Sequence, residues 1–228
     1  MVTRGTTGVN RLRRVDRWVI HARCSYLRSA QAPLCVDLGY GREPWTTAQW
    51  FEGLRKHVRA DVEVLGIEID RDRVAAAQAH CAPGLSFEHG GFEAPGNGRP
   101  VHVLRAMNVL RQYEESDVVA AWALMAASLA PGGLLIDGTC DEVGRLGSWL
   151  AIPATGEGQA QPQSLTLSAQ VANLEQPSRF ATRLPKSLIH RHVPGTALHR
   201  FFADFDRAWA SHAGLAVFSP RQRFIAAV

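Results

Sequence analysis

From Arg11 to Ser29 the apolar residues Leu12, Val15, Val19, Ala22 and Tyr26 recur every three or four positions, which predicts one face of a helix. Arg13, Arg14, Arg17, Arg23 and Arg28 lie mostly on its other sides. Beyond the Ala32-Pro33 break the pattern shortens to continuous runs. Leu34 to Leu38 ends at a pair of glycines and reads as a buried parallel strand. A helix capped by Thr46 or Thr47 carries Trp50, Phe51, Leu54 and Val58, and Val62 to Ile69 is the second strand. A helix over about 71–80, a third strand at Leu85 to Glu88 and a fourth at Val101 to Leu104 follow. Ser116 opens a helix with the stripe Val118, Val119, Trp122, Met125, Ala126 and Leu129. Pro131-Gly132-Gly133 is expected to end it before a fifth strand at Leu134 to Ile136.

Strands alternating with helices in this order predict an α/β fold with a mostly parallel sheet covered on both faces, because right-handed crossovers must bury each side. Farther on, 153–163 reads as a loop, and the alternation of Leu165, Leu167, Ala169 and Val171 as a strand able to pair with Trp149 to Ile152. A helix over about 197–213 carries Leu198, Phe201, Phe202, Phe205 and Trp209. Gly214 to Phe218 and Arg223 to Val228 are expected to close the chain as an antiparallel pair of short strands.

The length of 228 residues suits one domain, and 46% hydrophobic with 20% charged residues is ordinary for a folded protein, which excludes a fibre or a disordered chain. No apolar run approaches the roughly 18 residues of a membrane span, and the basic start lacks a signal-peptide core, so a cytoplasmic location is the expectation. Cys24, Cys35, Cys81 and Cys140 are widely spaced, which indicates neither a disulfide framework nor a metal site. The net charge of +4 is modest, but Arg4, Arg11, Arg13, Arg14, Arg17 and Arg23 crowd the first 23 positions. That face can cover a cofactor, bind an anionic substrate or hold RNA phosphates, although no RNA-binding module accompanies it.

Two signals carry chemistry. The turn Asp37-Leu38-Gly39-Tyr40-Gly41 follows the first strand, where glycines let a ligand approach the backbone. Glu68 falls at the end of the adjacent second strand, where a carboxylate can accept both hydroxyls of a ribose. Arg42-Glu43-Pro44 stands where a dinucleotide site would place a third glycine, and the 27 positions from Gly41 to Glu68 exceed the about 20 of that fingerprint.

VDLGYG (36–41), GIEIDRDRV (66–74), NVL (108–110) and LAPGGLLI (129–136) resemble the class I S-adenosylmethionine-dependent methyltransferases over about 34–138. The resemblance implies a Rossmann-like fold: a mostly parallel seven-stranded sheet with an antiparallel C-terminal strand, preceded by a basic N-terminal helix (1–32) packing on the core. A cofactor-binding domain over 33–228 then carries a hairpin and loop insertion at about 146–195. It implies S-adenosyl-L-methionine as cofactor, with Asp37, Gly39, Tyr40 and Gly41 at its methionine part, Glu68 at the ribose and Ile69 beside the adenine. Gly91 and Phe92, after Gly90, match the adenine segment but lack its usual Gly-Asp, so Glu93 or backbone groups must substitute. In 105–111 the common acidic residue is missing; Asn108 is the candidate there, to orient a substrate or bond the cofactor's ammonium, or else merely to cap the strand end.

Thr139-Cys140 is similar to a nucleophilic cysteine of RNA cytosine methyltransferases, yet the partner motif is absent and Asp141 and Glu142 would raise a thiol pKa, which favours an inert buried Cys140. Lys186, His190, Arg191 and His192 form a basic group in which one histidine can serve as a base or simply be solvated. No residue is assigned as catalytic and no metal is expected. The acceptor is a small molecule or RNA; the rivals are an NAD(P)-dependent oxidoreductase and a non-catalytic S-adenosylmethionine-binding protein.

Overall fold

The computed structural model describes residues 8–93, 96, 98–154 and 160–228. Helix α1 (Arg13–Ser29) is followed by strand β1 (Leu34–Leu38), all of it buried because both faces of the sheet are covered. The chain then winds through α2 (Trp45–His57), β2 (Glu63–Glu68), α3 (Arg71–Ala77) and β3 (Leu85–His89), pairing β1 with β2 and β2 with β3 in parallel. It crosses back to lay β4 (Val101–Met107) on the opposite side of β1. Helix α4 (Glu115–Ala126) leads to β5 (Leu129–Cys140), beside β4 and parallel to it.

Strands β6 (Leu146–Pro153) and β7 (Ser164–Ala169) complete one sheet in the order β3-β2-β1-β4-β5-β6-β7, through antiparallel ladders from β5 to β6 and from β6 to β7. Six strands thus point one way and only β6 points the other, which is the mostly parallel Rossmann-like sheet that the pattern predicts. The segment expected as a hairpin insertion supplies strands six and seven of the sheet itself. Beyond it come α5 (Lys186–Ile189), α6 (Ala197–Ser211) and α7 (Pro220–Ala227).

Strand residues alternate between two cores. Cys35, Val64, Val103 and Ile136 face α1 and α2, packing with Val15, Val19, Trp50 and Leu54. Leu34, Val36, Leu104 and Leu135 face α4, packing with Val118, Trp122 and Met125. A third cluster of Phe180, Leu184, Phe202, Phe205 and Trp209 covers the β6–β7 end.

Four local expectations differ from the structure. The terminal pair of strands is absent: 213–217 is a 3-10 turn and 220–227 is α7, because Ser219 caps that helix through the Gln222 amide and Pro220 starts it. Pro131-Gly132-Gly133 does not end a helix but lies inside β5, where the ladder with β4 shifts register between Val101 and Val103. Helix α2 begins at Trp45 after Pro44, so Thr46 and Thr47 sit in its first turn and cap nothing. Arg105 to Met107 belong to β4 rather than to the loop beyond it. Arg4 and most of the loop expected at 153–163 lie outside the described residues.

Asp137 on β5 is buried against α4, where the Trp122 indole N–H donates to its Oδ2 at 3.0 Å. Burial raises its pKa to about 7, with the Trp122 hydrogen bond opposing. Because the folded carboxyl keeps its proton where the unfolded one has lost it, this group's contribution is fully present below the ordinary carboxylate pKa and is lost as pH rises towards 7. Asp137→Asn should therefore raise the melting temperature at pH 8, with the gain shrinking towards zero by pH 4. Differential scanning calorimetry across that range checks it.

Candidate functional site

The chain reverses its winding direction between β1 and β4, so their carboxyl ends open a crevice at the switch point of the sheet. The turn after β1 forms one wall. Gly39 and Gly41 both take positive φ, 71° and 87°, and a Cβ built on Gly39 would stand 2.6 Å from Val109 Cγ2. The Gly39 amide donates to the Ile67 carbonyl at 2.7 Å, which fixes the turn against the end of β2.

Glu68 fastens the same turn from the other side. Its Oε2 accepts the Gly41 amide at 2.9 Å, and its Oε1 accepts the amides of Ile69 at 2.9 Å and Asp70 at 3.3 Å. Arg73 approaches Oε2 at 3.7 Å. Three amides thus occupy three of the roughly four acceptor positions of the carboxylate, and Arg73 stands nearest the oxygen that keeps the fourth. Asp70 in turn caps α3 through the Asp72 and Arg73 amides.

Beneath the turn lies a buried ionic cluster. Arg105, on β4 and fully buried, donates from Nε and Nη2 to the two carboxylate oxygens of Asp37, both at 2.8 Å. Its Nη1 donates to Asp16 of α1, its Nη2 also to the Thr46 carbonyl at 3.0 Å, and its guanidinium lies 4.3 Å from the centre of the Trp50 ring. The Thr47 hydroxyl donates to Asp37 Oδ2 at 2.7 Å. Burial lowers the proton affinity of Arg105, but Asp37 and Asp16 outweigh it and hold the guanidinium charged. Burial raises Asp16 to about 7, against the pull of Arg105.

The residues singled out in the sequence therefore meet at one crevice in different ways. Asp37 turns its carboxylate down onto Arg105 and Thr47. The Tyr40 ring is buried edge-on to Phe87, centroids 5.3 Å apart, so this residue offers the crevice its backbone. Ile69 stands half exposed beyond Glu68. Gly91 and Phe92 follow β3, and the Phe92 ring lies 5.2 Å from that of Tyr113, a residue the sequence pattern did not flag. Burial raises the Tyr113 pKa, helped by the negative charges of Glu68 and Glu93. An aromatic four positions after Val109, just past the 3-10 turn Leu110–Gln112, was the only signal for it.

Asn108 takes a left-handed backbone, φ 63°, and its side-chain Oδ1 accepts the Cys140 amide at 2.9 Å while Nδ2 donates to the Cys140 sulfur at 3.4 Å. Its amide thus joins the ends of β4 and β5. Cys140 is buried, in keeping with an inert thiol. His190 lies at the surface, 3.7 Å from Glu115, and the His192 ring stacks near His199 and Phe202. Among the described residues no cluster of His, Cys, Asp and Glu is arranged to hold a metal, and no helix is long and apolar enough to cross a membrane.

No family model and no curated protein matches the chain. Solved structures similar to it include the plantazolicin methyltransferase BamL in complex with a triazolic analogue and SAH, at 12% identity over 57% of this chain and 46% of that one, TM-score 0.44. The CurJ carbon methyltransferase matches at 19% identity over 58% and 35%, TM-score 0.44. The magnesium protoporphyrin IX methyltransferase from Synechocystis PCC 6803 with bound SAH matches at 18% over 58% and 62%, TM-score 0.39. The matched part covers less than two thirds of each of those chains, and scores this low carry no weight for function, which the site residues must decide.

Removing the cation from the buried cluster strands two carboxylates in the core. Arg105→Met should cost about 3 to 5 kcal/mol of stability at pH 8, and less at pH 5, where Asp16 can stay protonated. Urea unfolding at the two pH values measures both.

Proposed function

We propose that the chain is an S-adenosylmethionine-dependent methyltransferase, with residues 33–228 as its cofactor-binding unit and the helix within 1–32 as a cover. The observation that supports this most is Glu68: a buried carboxylate at the end of β2, joined through the Gly41 amide to a glycine turn at the switch point. A ribose diol needs an acceptor in that place, and Glu68 is the carboxylate that stands there.

The site's residues suit a cation better than a diphosphate. Gly41 is followed by Arg42-Glu43-Pro44 before α2 starts at Trp45, so the helix N-terminus does not open directly from the glycine turn as a dinucleotide's phosphates require. Glu68 at the end of β2 and Glu93 after β3 add negative charge at this rim, which favours a sulfonium and disfavours phosphates. These features weigh against the NAD(P)-dependent oxidoreductase.

In this reading Gly39 and Gly41 give their backbone to the methionine part, Glu68 bonds the ribose, and Ile69, Gly91 and Phe92 border the adenine, with Tyr113 beside Phe92. Asp37 acts from below, by holding the turn through Arg105, and Asn108 by fixing where β4 ends. S-adenosylmethionine held by these residues would supply a methyl group on a sulfonium to an acceptor lone pair, with a neutral thioether left behind and the acceptor's proton released. The protein's part is orientation and exclusion of water.

S-adenosylhomocysteine at 100 times its Kd should stabilise the protein by about 2.7 kcal/mol, and NAD(H) or NADP(H) by nothing. The reverse result in a thermal-shift titration would end this reading. Glu68→Ala should weaken S-adenosylhomocysteine binding by roughly 1 to 3 kcal/mol through loss of charge-assisted bonds, measured by calorimetric titration. Transfer of labelled methyl from S-adenosylmethionine to small-molecule or RNA fractions of a cell extract separates an enzyme from a protein that only binds the cofactor.

A further inference from the structure

Strand β7 is one edge of the sheet, paired only with β6. The ladders fix which of its backbone groups are used. The Asp141 amide donates to the Leu146 carbonyl and the Gln170 amide to the Arg145 carbonyl. Because antiparallel bonding alternates, the even-numbered residues 146–152 of β6 bond β5, and its odd-numbered residues 147–151 bond β7 through Ser168, Thr166 and Ser164. Leu165, Leu167 and Ala169 therefore aim both N–H and C=O away from the sheet, and no hydrogen bond reaches those groups among the described residues. No residue of β7 is fully buried, whereas six of the eight in β6 are.

The opposite edge, β3, is closed. Leu85 exchanges both its outward backbone bonds with Ala82, at 2.8 and 3.0 Å, and the Gln78 side chain donates to the Phe87 carbonyl at 2.9 Å. Glu88 and His89 end that strand. Covered backbone and charged side chains are the usual devices that keep an edge from pairing with another chain. In β7 both are missing: its sequence SLTLSA is uncharged, and so is the whole stretch from Gly158 to Leu174. Pro162 precedes the strand and removes none of its outward amides.

We propose that β7 is a dimer interface, pairing antiparallel with β7 of a second copy about a two-fold axis at Leu167. The strand is self-complementary in that register. Leu167 meets the copy's Leu167, Leu165 meets the copy's Ala169, and about six hydrogen bonds satisfy the outward groups of both strands. Leu165, Leu167 and Ala169 pack towards the third apolar cluster, while Thr166 stands opposite the copy's Ser168 on the other face, a favourable hydroxyl pair. With no charge on either strand, nothing at the contact repels the copy.

Helix α7 packs on the 171–173 turn just past β7, and Phe218 and Ile225 there are 74% and 63% exposed, which gives the contact apolar area beside the strand. A six-residue strand pair is still small against the roughly 1,200 to 2,000 Å² of a standard interface, so the dimer is a weak one.

Sedimentation velocity of the whole chain should show the 24.9 kDa monomer converting to twice that mass with a Kd of roughly 1 to 100 µM, and to nothing larger, because a two-fold pair is closed. Ala169→Pro deletes an outward amide and leaves the bonds to β6 in place. Thr166→Lys sets two ammonium groups diagonally across the axis. Each should weaken the dimer by about tenfold or more, while Ser86→Lys on the β3 edge should leave it unchanged. Hydrogen exchange followed by mass spectrometry reads the edge without any substitution: 164–169 should gain protection as concentration rises through the Kd, and β3 should not.

The proposal is overturned if the protein stays monomeric throughout, if it grows into open-ended assemblies, if neither β7 substitution weakens the dimer, or if 164–169 gains no protection on dimerisation. Protection that appears only when an unrelated extended peptide is added means the edge takes a foreign strand, and overturns it as well. None of these outcomes depends on what the crevice binds.

Discussion

A single guanidinium joins the elements that make the crevice. Arg105 belongs to β4, Asp37 to β1, Asp16 to α1, and the Thr46 carbonyl, Thr47 and Trp50 to α2. A buried ion pair adds little net stability over an apolar replacement, but a displaced partner leaves an uncompensated charge, so the cluster penalises wrong arrangements severely. Its two carboxylates exceed its one cation; Asp37 holds Arg105 by two parallel bonds, and burial raises the Asp16 pKa to about 7. The cluster fixes the register of β1 against β4 directly below Gly39 and Gly41. The crevice above is a consequence of that register.

The same economy governs the rim. Polar side chains at the strand ends bond backbone before any ligand arrives: Glu68 takes three amides, Asn108 takes the Cys140 amide, and Asp141 takes three in its own turn. Thr139 and Ser148 both donate to the Arg183 carbonyl, which moors the C-terminal helical layer to the ends of β5 and β6. Backbone that would otherwise lose hydrogen bonds at the end of a sheet is satisfied in this way, and the site walls become rigid.

What the sequence made legible follows from which signals are local. A buried parallel strand is a continuous apolar run, and a turn with two glycines at positive φ has few substitutes, so β1, its turn, β2 and Glu68 could be read directly. Arg105 could not, because an arginine inside an apolar run looks like the end of a strand unless its two distant acids are known. Tyr40 and Asp37 were assigned to the ligand side for the same reason: spacing locates a residue at a turn but not the direction in which its side chain leaves. The terminal 214–228 segment misled because a Ser-Pro pair marks a tight turn and a helix start alike, and the Ser219 cap decided between them. Tyr113 had no partner in sequence and was visible only beside Phe92.

Helix α1 is tied to the core from its first turn and from the residues before it. Asp16 reaches inward to Arg105, which makes the helix part of the cluster under the glycine turn. The helix start is pinned as well, by Arg11 on the 141–146 turn and by the Asn10 amide on Gln49 of α2. The position of α1 relative to the glycine turn is therefore set by hydrogen bonds rather than by a loop. Methyl transfer demands that an acceptor be held in line with a sulfonium to within a fraction of an ångström. On the methyltransferase reading, an acceptor resting on a helix braced in this way would share one rigid framework with the glycine turn.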